Sequence, residues 1–189
     1  AGLYPPSEGM YRLDGVDARQ YAAADLRRAV RLVGAETALF SGTVRDNLAM
    51  ADPAVENARL RRAAELAGLT EFLAAHEAGF DRDVGERGDK LSSGQQRLLA
   101  LARAFVDPFR VLVLDEPSAN LDRWTEAMLA DRIRTALEPG QTLILSTHRF
   151  PMLDLVDRLI VIDQGRVAMD GPKDEIIARL EGRETKPQA

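Results

Sequence analysis

Seven consecutive residues decide the fold: Val111-Leu112-Val113-Leu114-Asp115-Glu116-Pro117. Their apolar part has no polar residue within it, which predicts a strand buried on both faces in a parallel sheet covered by helices. A second apolar strand is predicted at 143–145, after a helix near 123–137 and a Pro139-Gly140 turn. Open α/β sheets bind ligands beyond the carboxyl ends of their strands. We therefore predict an α/β fold with its functional site at that edge.

Two adjacent acids follow the first of these strands. Burying one ionised carboxylate costs several kcal/mol, in order of magnitude, unless a cation or hydrogen-bond donors offset it. A Mg²⁺ ion bound by Asp115 would provide that offset, and Glu116 would then orient or deprotonate an attacking water. Alternatively, both acids only cap the helix that follows Pro117. These residues alone leave the two interpretations equally open.

His148 changes that balance, because it follows the second apolar strand. Parallel strands bring their carboxyl ends to one rim, so we expect His148 near Glu116. A histidine there can hydrogen-bond a γ-phosphate and hold water and carboxylate in line, which supports phosphoryl transfer by positioning. For an isolated histidine, the simpler interpretation is a residue at a strand end whose hydrogen bonds are satisfied by its neighbours. Together with the carboxylates, it favours phosphoryl transfer.

A candidate phosphate-binding segment, Leu91-Ser92-Ser93-Gly94-Gln95, precedes a predicted helix that runs through Phe105. A helix N-terminus receives anions well, and the Ser92 hydroxyl and Gly94 amide can donate to phosphate oxygens. Glycine also permits close approach of the backbone. An ordinary Ser-capped helix would show the same pattern. The nearby strand that ends in Asp-Glu-Pro makes the phosphate interpretation much more specific.

Composition limits the classes of function. The chain has 189 residues, 46% of them hydrophobic, enough for one domain with a subdomain. Its net charge of -5 argues against broad binding of nucleic acid. It has no cysteine, which excludes disulfides and thiolate metal sites. No apolar run approaches the roughly 18 residues that indicate a membrane span.

The chain divides into four predicted parts. The pattern is helical from Thr43 to about Ala104, with Thr43 capping one helix, Pro53 opening another, and a glycine-containing loop at 79–89. Hairpins are predicted at 9–16 and 159–169, and a last helix at 173–180. The predicted parts are a core remnant at 1–36, a helical subdomain at 37–105, a second core part at 106–181 and a flexible tail at 182–189.

Over essentially its whole length, the chain resembles the ATP-binding-cassette (ABC) ATPases. Leu91–Gln95 is similar to the family's signature, Val111–Asp115 to the Walker B strand, Ser118–Asp122 to the D-loop and His148 to the switch histidine. The resemblance implies a fold like that of P-loop NTPases with an inserted helical subdomain, and it implies ATP and Mg²⁺ as ligands. It assigns catalysis to Glu116 and His148, the metal to Asp115, and nucleotide binding to Ser92, Ser93, Gly94, Gln95 and Asp122.

The resemblance also implies partners. Family domains pair head to tail, so Ser92 and Gly94 would complete the ATP site of a second ABC ATPase domain in a homodimer. The segments 39–48 and 84–88 are similar to exporter domains, which implies a transmembrane domain on the same full-length chain and a location at the cytoplasmic face of the inner membrane. The segments 146–149 and 155–158 are most similar to exporters of type I protein secretion.

Three departures from the family pattern stand out. No G-x-x-x-x-G-K-[ST] loop occurs, and the chain begins as if just after it, so we expect a domain without its N-terminal part that is inactive alone. Ala35 stands where the family carries a glutamine that touches Mg²⁺, so that contact is weakened or taken over by Glu36. Ser93 replaces a glycine of the commonest signature, and we expect this replacement to have a small effect.

Three functions remain to be compared. The favoured one is the C-terminal portion of an exporter ATPase domain that drives substrate export. The alternative is a non-catalytic module that lends Ser92 and Gly94 to a partner's ATP site. A third function, that of the ABC ATPases that act in DNA repair or translation, is disfavoured by the net negative charge and by the exporter-like segments.

Overall fold

The structure is a computed structural model that describes residues 2, 4, 6–35, 38–119 and 121–184. It forms two compact units, residues 1–148 and 149–189. The predicted signature segment, the strand that ends at Asp115 and His148 belong to the first unit, whereas segment 155–158 and the last hairpin and helix belong to the second. Each unit is described by itself below.

The first unit opens with a small hairpin and a helix. Strands β1 (Arg12–Leu13) and β2 (Val16–Asp17) pair antiparallel around Asp14 and Gly15, which both have positive φ. Helix α1 (Ala23–Ala29) leads directly into strand β3 (Val30–Val33). Buried Leu26 and Val30 form a small core cluster with Val111. The predicted N-terminal hairpin is confirmed.

Four helices follow β3: α2 (Val44–Leu48), α3 (Asn57–Ala67), α4 (Thr70–Ala74) and α5 (Ser93–Phe105). Thr43 caps α2 as predicted, in a reciprocal capping box with Asp46. The predicted helix start at Pro53 is wrong. Asp52 instead accepts hydrogen bonds from the backbone N–H groups of Ala54 (3.0 Å) and Val55 (3.1 Å), which closes a turn before α3.

The predicted loop before the signature is confirmed, and two of its glycines are sterically required. Gly85 and Gly88 have φ of 79° and 84°, which side-chain-bearing residues rarely adopt. A Cβ atom at Gly85 would lie 1.8 Å from Asp89 Oδ1, and one at Gly88 would lie 2.7 Å from Leu39. This loop therefore holds its path only with glycine at both positions.

The central sheet of the first unit has the order β3-β4-β5 and is parallel throughout. Strand β4 (Val111–Asp115) is the centre, and helix α6 (Arg123–Ala136) connects it to strand β5 (Thr142–Ser146). Leu112 and Leu114 on β4 are fully buried. The register pairs Asp115 with Ser146, so the two strands end at the same edge. This confirms the predicted parallel α/β sheet.

Coverage of both sheet faces was also expected, and for β5 that expectation is wrong. The strand alternates exposed and half-buried residues, and Ile144 is 53% exposed. Within the described sheet, β5 is an edge strand, so it pairs along one side only. Edge position does not explain the exposure, because Val30 and Val33 on the other edge strand, β3, are buried. Ile144 is exposed because the described residues cover its face of β5 only in part.

The second unit contains a short 3₁₀ helix at 150–155, an antiparallel pair β6 (Arg158–Asp163) and β7 (Arg166–Pro172), and helix α7 (Lys173–Glu184). The predicted hairpin is confirmed. Helix α7 continues past its predicted end at residue 180, because Gly182 does not take the positive φ that commonly ends a helix. Residues 185–189 of the predicted tail lie outside the described residues. None of the described helices is long and apolar enough to cross a membrane.

Candidate functional site

The edge of β4 and β5 brings together two predicted catalytic residues. Oε1 of Glu116 lies 2.8 Å from Nδ1 of His148, although 32 positions separate them in the chain. An ionised carboxylate only accepts hydrogen bonds, so Nδ1 of His148 is the donor when Glu116 is ionised. The Glu116 side chain is 25% exposed and the His148 side chain 78% exposed. This pair is therefore accessible to a ligand from the solvent side.

The backbone at Glu116 is unusual. Its φ is 46°, a left-handed conformation that costs a non-glycine residue about 1–2 kcal/mol. The Glu116 N–H donates to Ser146 O at 2.9 Å, and the Glu116 carbonyl accepts from the Ala119 N–H at 3.1 Å. These bonds hold the strained residue in place. Such strain is concentrated at functional sites.

The other carboxylate oxygen of Glu116 is buried. Among the described residues, no group donates a hydrogen bond to Oε2. A buried carboxylate oxygen without a donor is costly. This cost and the left-handed backbone both indicate Glu116 as a candidate functional residue.

Asp115 ends β4 and is exposed. Among the described residues, no group of three or more acidic or histidine side chains could hold a metal ion. Mg²⁺ in nucleotide sites is commonly bound by one or two carboxylates, with phosphate oxygens and waters as its other ligands. A single accessible carboxylate therefore fits Mg²⁺ only where phosphate oxygens and waters supply the other ligands, and it does not fit a cage built from protein ligands alone.

The signature residues build the N-terminus of α5. Ser92 is the N-cap: its Oγ accepts from the Gln95 N–H at 3.2 Å, and Gln95 Oε1 accepts from the Ser92 N–H at 3.0 Å. Ser92 and Ser93 are exposed, and Gly94 and Gln95 are half-buried. The cap occupies an acceptor position of Ser92 Oγ and leaves the hydroxyl hydrogen for a ligand. The helix therefore presents donors to an anion.

Asp122 caps the next helix, α6. It accepts hydrogen bonds from the Thr125 N–H at 3.0 Å, the Thr125 hydroxyl at 2.7 Å and the Trp124 N–H at 2.9 Å. The Thr125 bonds, and after them the Trp124 bond, hold the pKa of Asp122 below its usual value. A Cβ at Gly94 would lie 3.5 Å from the Thr125 methyl group, so the D-loop helix packs beside the signature. Asn120 lies outside the described residues.

Two arginines of α5 bind backbone carbonyls of the segment that follows β3. Neither of them was predicted from the sequence. Arg97 donates to the carbonyls of Gly34 and Ala35, and Arg103 to those of Ala38 and Asn47. A sequence signal does exist for both arginines: each is a cationic residue within the largely apolar run of a predicted helix. Glu36, the predicted substitute for the missing glutamine, lies outside the described residues.

The sheet, the carboxylate–histidine pair and the capped helix define an α/β protein with a candidate ligand site at the ends of its parallel strands. The chain matches the ABC transporter family over residues 1–119, and it belongs to that family. It is 37% identical over 178 residues to an ATP-dependent lipid A-core flippase of Xanthomonas axonopodis pv. citri, covering 94% of this chain and 30% of the relative. It is 33% identical over 175 residues to the heterocyst differentiation ATP-binding protein HepA of Nostoc sp., covering 93% of this chain and 29% of the relative.

A solved structure of a bacterial Atm1-family ABC exporter with ATP bound is also similar. Its TM-score is 0.85 at 32% identity, over 98% of this chain and 33% of that chain. The 189 residues thus span about a third of the length of the proteins they match. The match confirms the predicted fold class, a P-loop NTPase-like parallel sheet with a helical subdomain. None of these relatives is named as a type I protein secretion exporter, so that finer assignment stays a prediction.

Proposed function

We propose that this chain works within an exporter nucleotide-binding domain and couples ATP binding and hydrolysis to transport through a transmembrane partner. The observation that carries the proposal is the 2.8 Å contact between Glu116 and His148 at the edge of the parallel sheet. The exporter relatives support the direction of transport.

In the proposed reaction, Glu116 accepts the proton of the attacking water, or orients that water toward the γ-phosphate of ATP. His148 holds the Glu116 carboxylate through Oε1. Positioning of this kind accounts for much of the catalysis in phosphoryl transfer. Asp115 would hold Mg²⁺, which when bound neutralises developing charge on the phosphates.

The signature acts on a second site in this proposal. Ser92, Ser93, Gly94 and Gln95 form an exposed or half-exposed anion-binding helix terminus on one domain, and a second ABC ATPase domain brings its nucleotide to them. Asp122 holds the neighbouring D-loop helix in place. We propose a head-to-tail homodimer, bound to membrane-spanning segments of the same full-length protein at the cytoplasmic face of the inner membrane.

The 189 residues contain no phosphate-binding loop of the G-x-x-x-x-G-K-[ST] type, so we propose that by themselves they do not hydrolyse ATP. A complete ATP site would need that loop beside Asp115 and Glu116. The domain division at 37 and 106, which separates helical subdomain from core, also stays a proposal.

The test is Glu116→Gln in a complete exporter that carries this chain, with ATP turnover and ATP binding measured on the purified protein. We expect turnover to fall about 10²- to 10⁴-fold while binding persists, because the change removes the base but keeps the shape. Glu65→Gln, on an exposed position of α3, is the matched control. Normal hydrolysis by the Glu116→Gln protein would refute the proposal.

A second function is favoured by one observation: Ala35 offers no side-chain ligand where the family places a glutamine. In this alternative the chain is non-catalytic and only completes a partner's ATP site through Ser92 and Gly94. Ser92→Arg would then abolish the partner's ATPase activity although this chain binds no nucleotide. Unchanged partner activity in the Ser92→Arg protein would reject it.

A further inference from the structure

A buried arginine joins the signature helix to the loop that follows β3. Arg97 lies on the second turn of α5 and is only 8% exposed. Its Nη1 donates to the carbonyl oxygens of Gly34 at 3.1 Å and Ala35 at 2.7 Å. Burial lowers the pKa of the Arg97 guanidinium, although an arginine remains charged at neutral pH. A charge is therefore kept inside the protein and bound to neutral backbone carbonyls.

Burying the Arg97 guanidinium costs free energy, so we expect its hydrogen bonds to serve a function. Removing a guanidinium from water carries a large desolvation penalty, and two carbonyls offset it less than a carboxylate does. A packed apolar side chain would fill the same volume without this penalty. The arginine instead fixes the backbone of a specific loop.

The loop fixed in this way adjoins the candidate catalytic edge. The parallel register pairs Val33 with Leu114, so Gly34 follows β3 at the same end of the sheet at which Asp115 ends β4. Arg97 reaches this loop from α5, whose N-cap is Ser92 of the signature. One side chain thus spans from the signature helix to the edge that carries Glu116.

A second arginine of α5 holds the far end of the same segment. Arg103 donates to Ala38 O at 2.9 Å, to Asn47 O at 3.1 Å and to Asn47 Oδ1 at 2.9 Å. Its guanidinium also lies 5.5 Å from the centre of the Phe40 ring. Together the two arginines attach both ends of segment 34–47 to the helix that begins with the signature.

We propose that Arg97 is a positioning residue that couples the signature helix to the catalytic edge through the backbone carbonyls of Gly34 and Ala35. The coupling uses the backbone because Ala35 has no polar side chain to form it. Under the proposed function, on which this inference rests, the signature acts on the partner's ATP and the catalytic edge acts on the domain's own ATP. Arg97 thereby links the two ATP sites of the dimer.

The experiment compares Arg97→Met and Arg97→Lys with the unchanged protein, in the complete exporter that carries this chain. Methionine keeps most of the aliphatic volume but donates no hydrogen bond, whereas lysine keeps a cation that can reach one carbonyl. We expect Arg97→Met to lower kcat for ATP hydrolysis about ten-fold with KM for ATP changed less than two-fold, and Arg97→Lys to recover part of that loss. Arg61→Met, at an exposed position of α3, should leave both values unchanged.

Hydrogen exchange in the nucleotide-free protein provides the second readout. We expect faster exchange across 34–47 in the Arg97→Met variant and unchanged exchange in strand β4. Unchanged kcat, or unchanged exchange across 34–47, would overturn the inference. An unchanged protein that hydrolyses no ATP would instead refute the proposed function, while the exchange measurement would still test the link made by Arg97.

Discussion

Nδ1 of His148 and Oε1 of Glu116 are 2.8 Å apart because two parallel strands end at the same edge of one sheet. Neither side chain is held there by its local sequence alone. The Glu116 N–H bond to Ser146 O fixes the backbone of one partner against the strand that precedes the other. The pair therefore results from the β4–β5 register. A substitution of either residue should change the effect of substituting the other.

Replacing His148 tests that relationship directly. In a complete exporter we expect His148→Ala to lower kcat for ATP hydrolysis about 10²-fold, because the Glu116 carboxylate loses the group that orients it. Combined with Glu116→Gln, the losses should not add, since the two residues act as a unit. His76→Ala removes the chain's other histidine and should leave turnover unchanged. Additive losses in the double variant would contradict the pairing.

Ser92 has two roles that substitutions can separate. Ser92→Ala removes the N-cap acceptor of α5 and should lower the free energy of unfolding by about 1 kcal/mol. Ser92→Asn keeps a good cap, so its stability should be near normal, but its larger amide should obstruct phosphate and lower ATP turnover. Chemical denaturation and ATPase assays on the same preparations measure both effects. Full activity in the Ser92→Asn variant would exclude a phosphate contact at Ser92.

Asn47 is a buried polar centre of the helical region. It is fully buried, accepts from the Phe40 N–H at 2.9 Å, and donates to Phe40 O at 2.8 Å and to Thr43 O at 3.0 Å. Asn47→Ala would remove these three hydrogen bonds, so we expect a loss of about 2–4 kcal/mol in the free energy of unfolding. Exposed Asn57→Ala is the matched control. Equal midpoints of urea unfolding for the two variants would show the network to be unimportant.

Acid should destabilise the fold through capping carboxylates. Asp122 has a lowered pKa, and the Arg19 side chain, with the Arg19 N–H, lowers that of Asp17 to about 2. Because the folded-state pKa lies below the unfolded value of about 4, the unfolded chain binds more protons in this range. The stabilisation is thus complete above about pH 4 and is lost as the pH falls toward 2.

Thermal unfolding between pH 5 and pH 2 measures this effect. Asp122→Asn keeps a capping acceptor but cannot ionise, so its Tm should fall less steeply with decreasing pH than that of the unchanged protein. Parallel Tm curves for the two proteins would show that the ionised form of Asp122 adds nothing to stability.

The local pattern predicted most of the elements, and together with the family resemblance it named the candidate site residues, whose roles stay predictions. The apolar run of β4 predicted a buried strand, Thr43 predicted a helix start, and the Ser92 and Asp115 segments predicted an anion-binding helix and an acidic strand end. Two predictions failed: Asp52 closes a turn in place of a helix, and Ile144 is exposed because the described residues cover its face of β5 only in part.

The sequence by itself therefore determined which residues are candidates for the site, because capping, strand formation and charge depend on neighbours a few positions away. Only the tertiary structure decided which of them meet. The left-handed backbone of Glu116, its contact with His148, and the bonds from Arg97 to carbonyls 62 and 63 positions away arise from strand register and helix packing. Those distances are set by burial of the shared core, which no short stretch of sequence specifies.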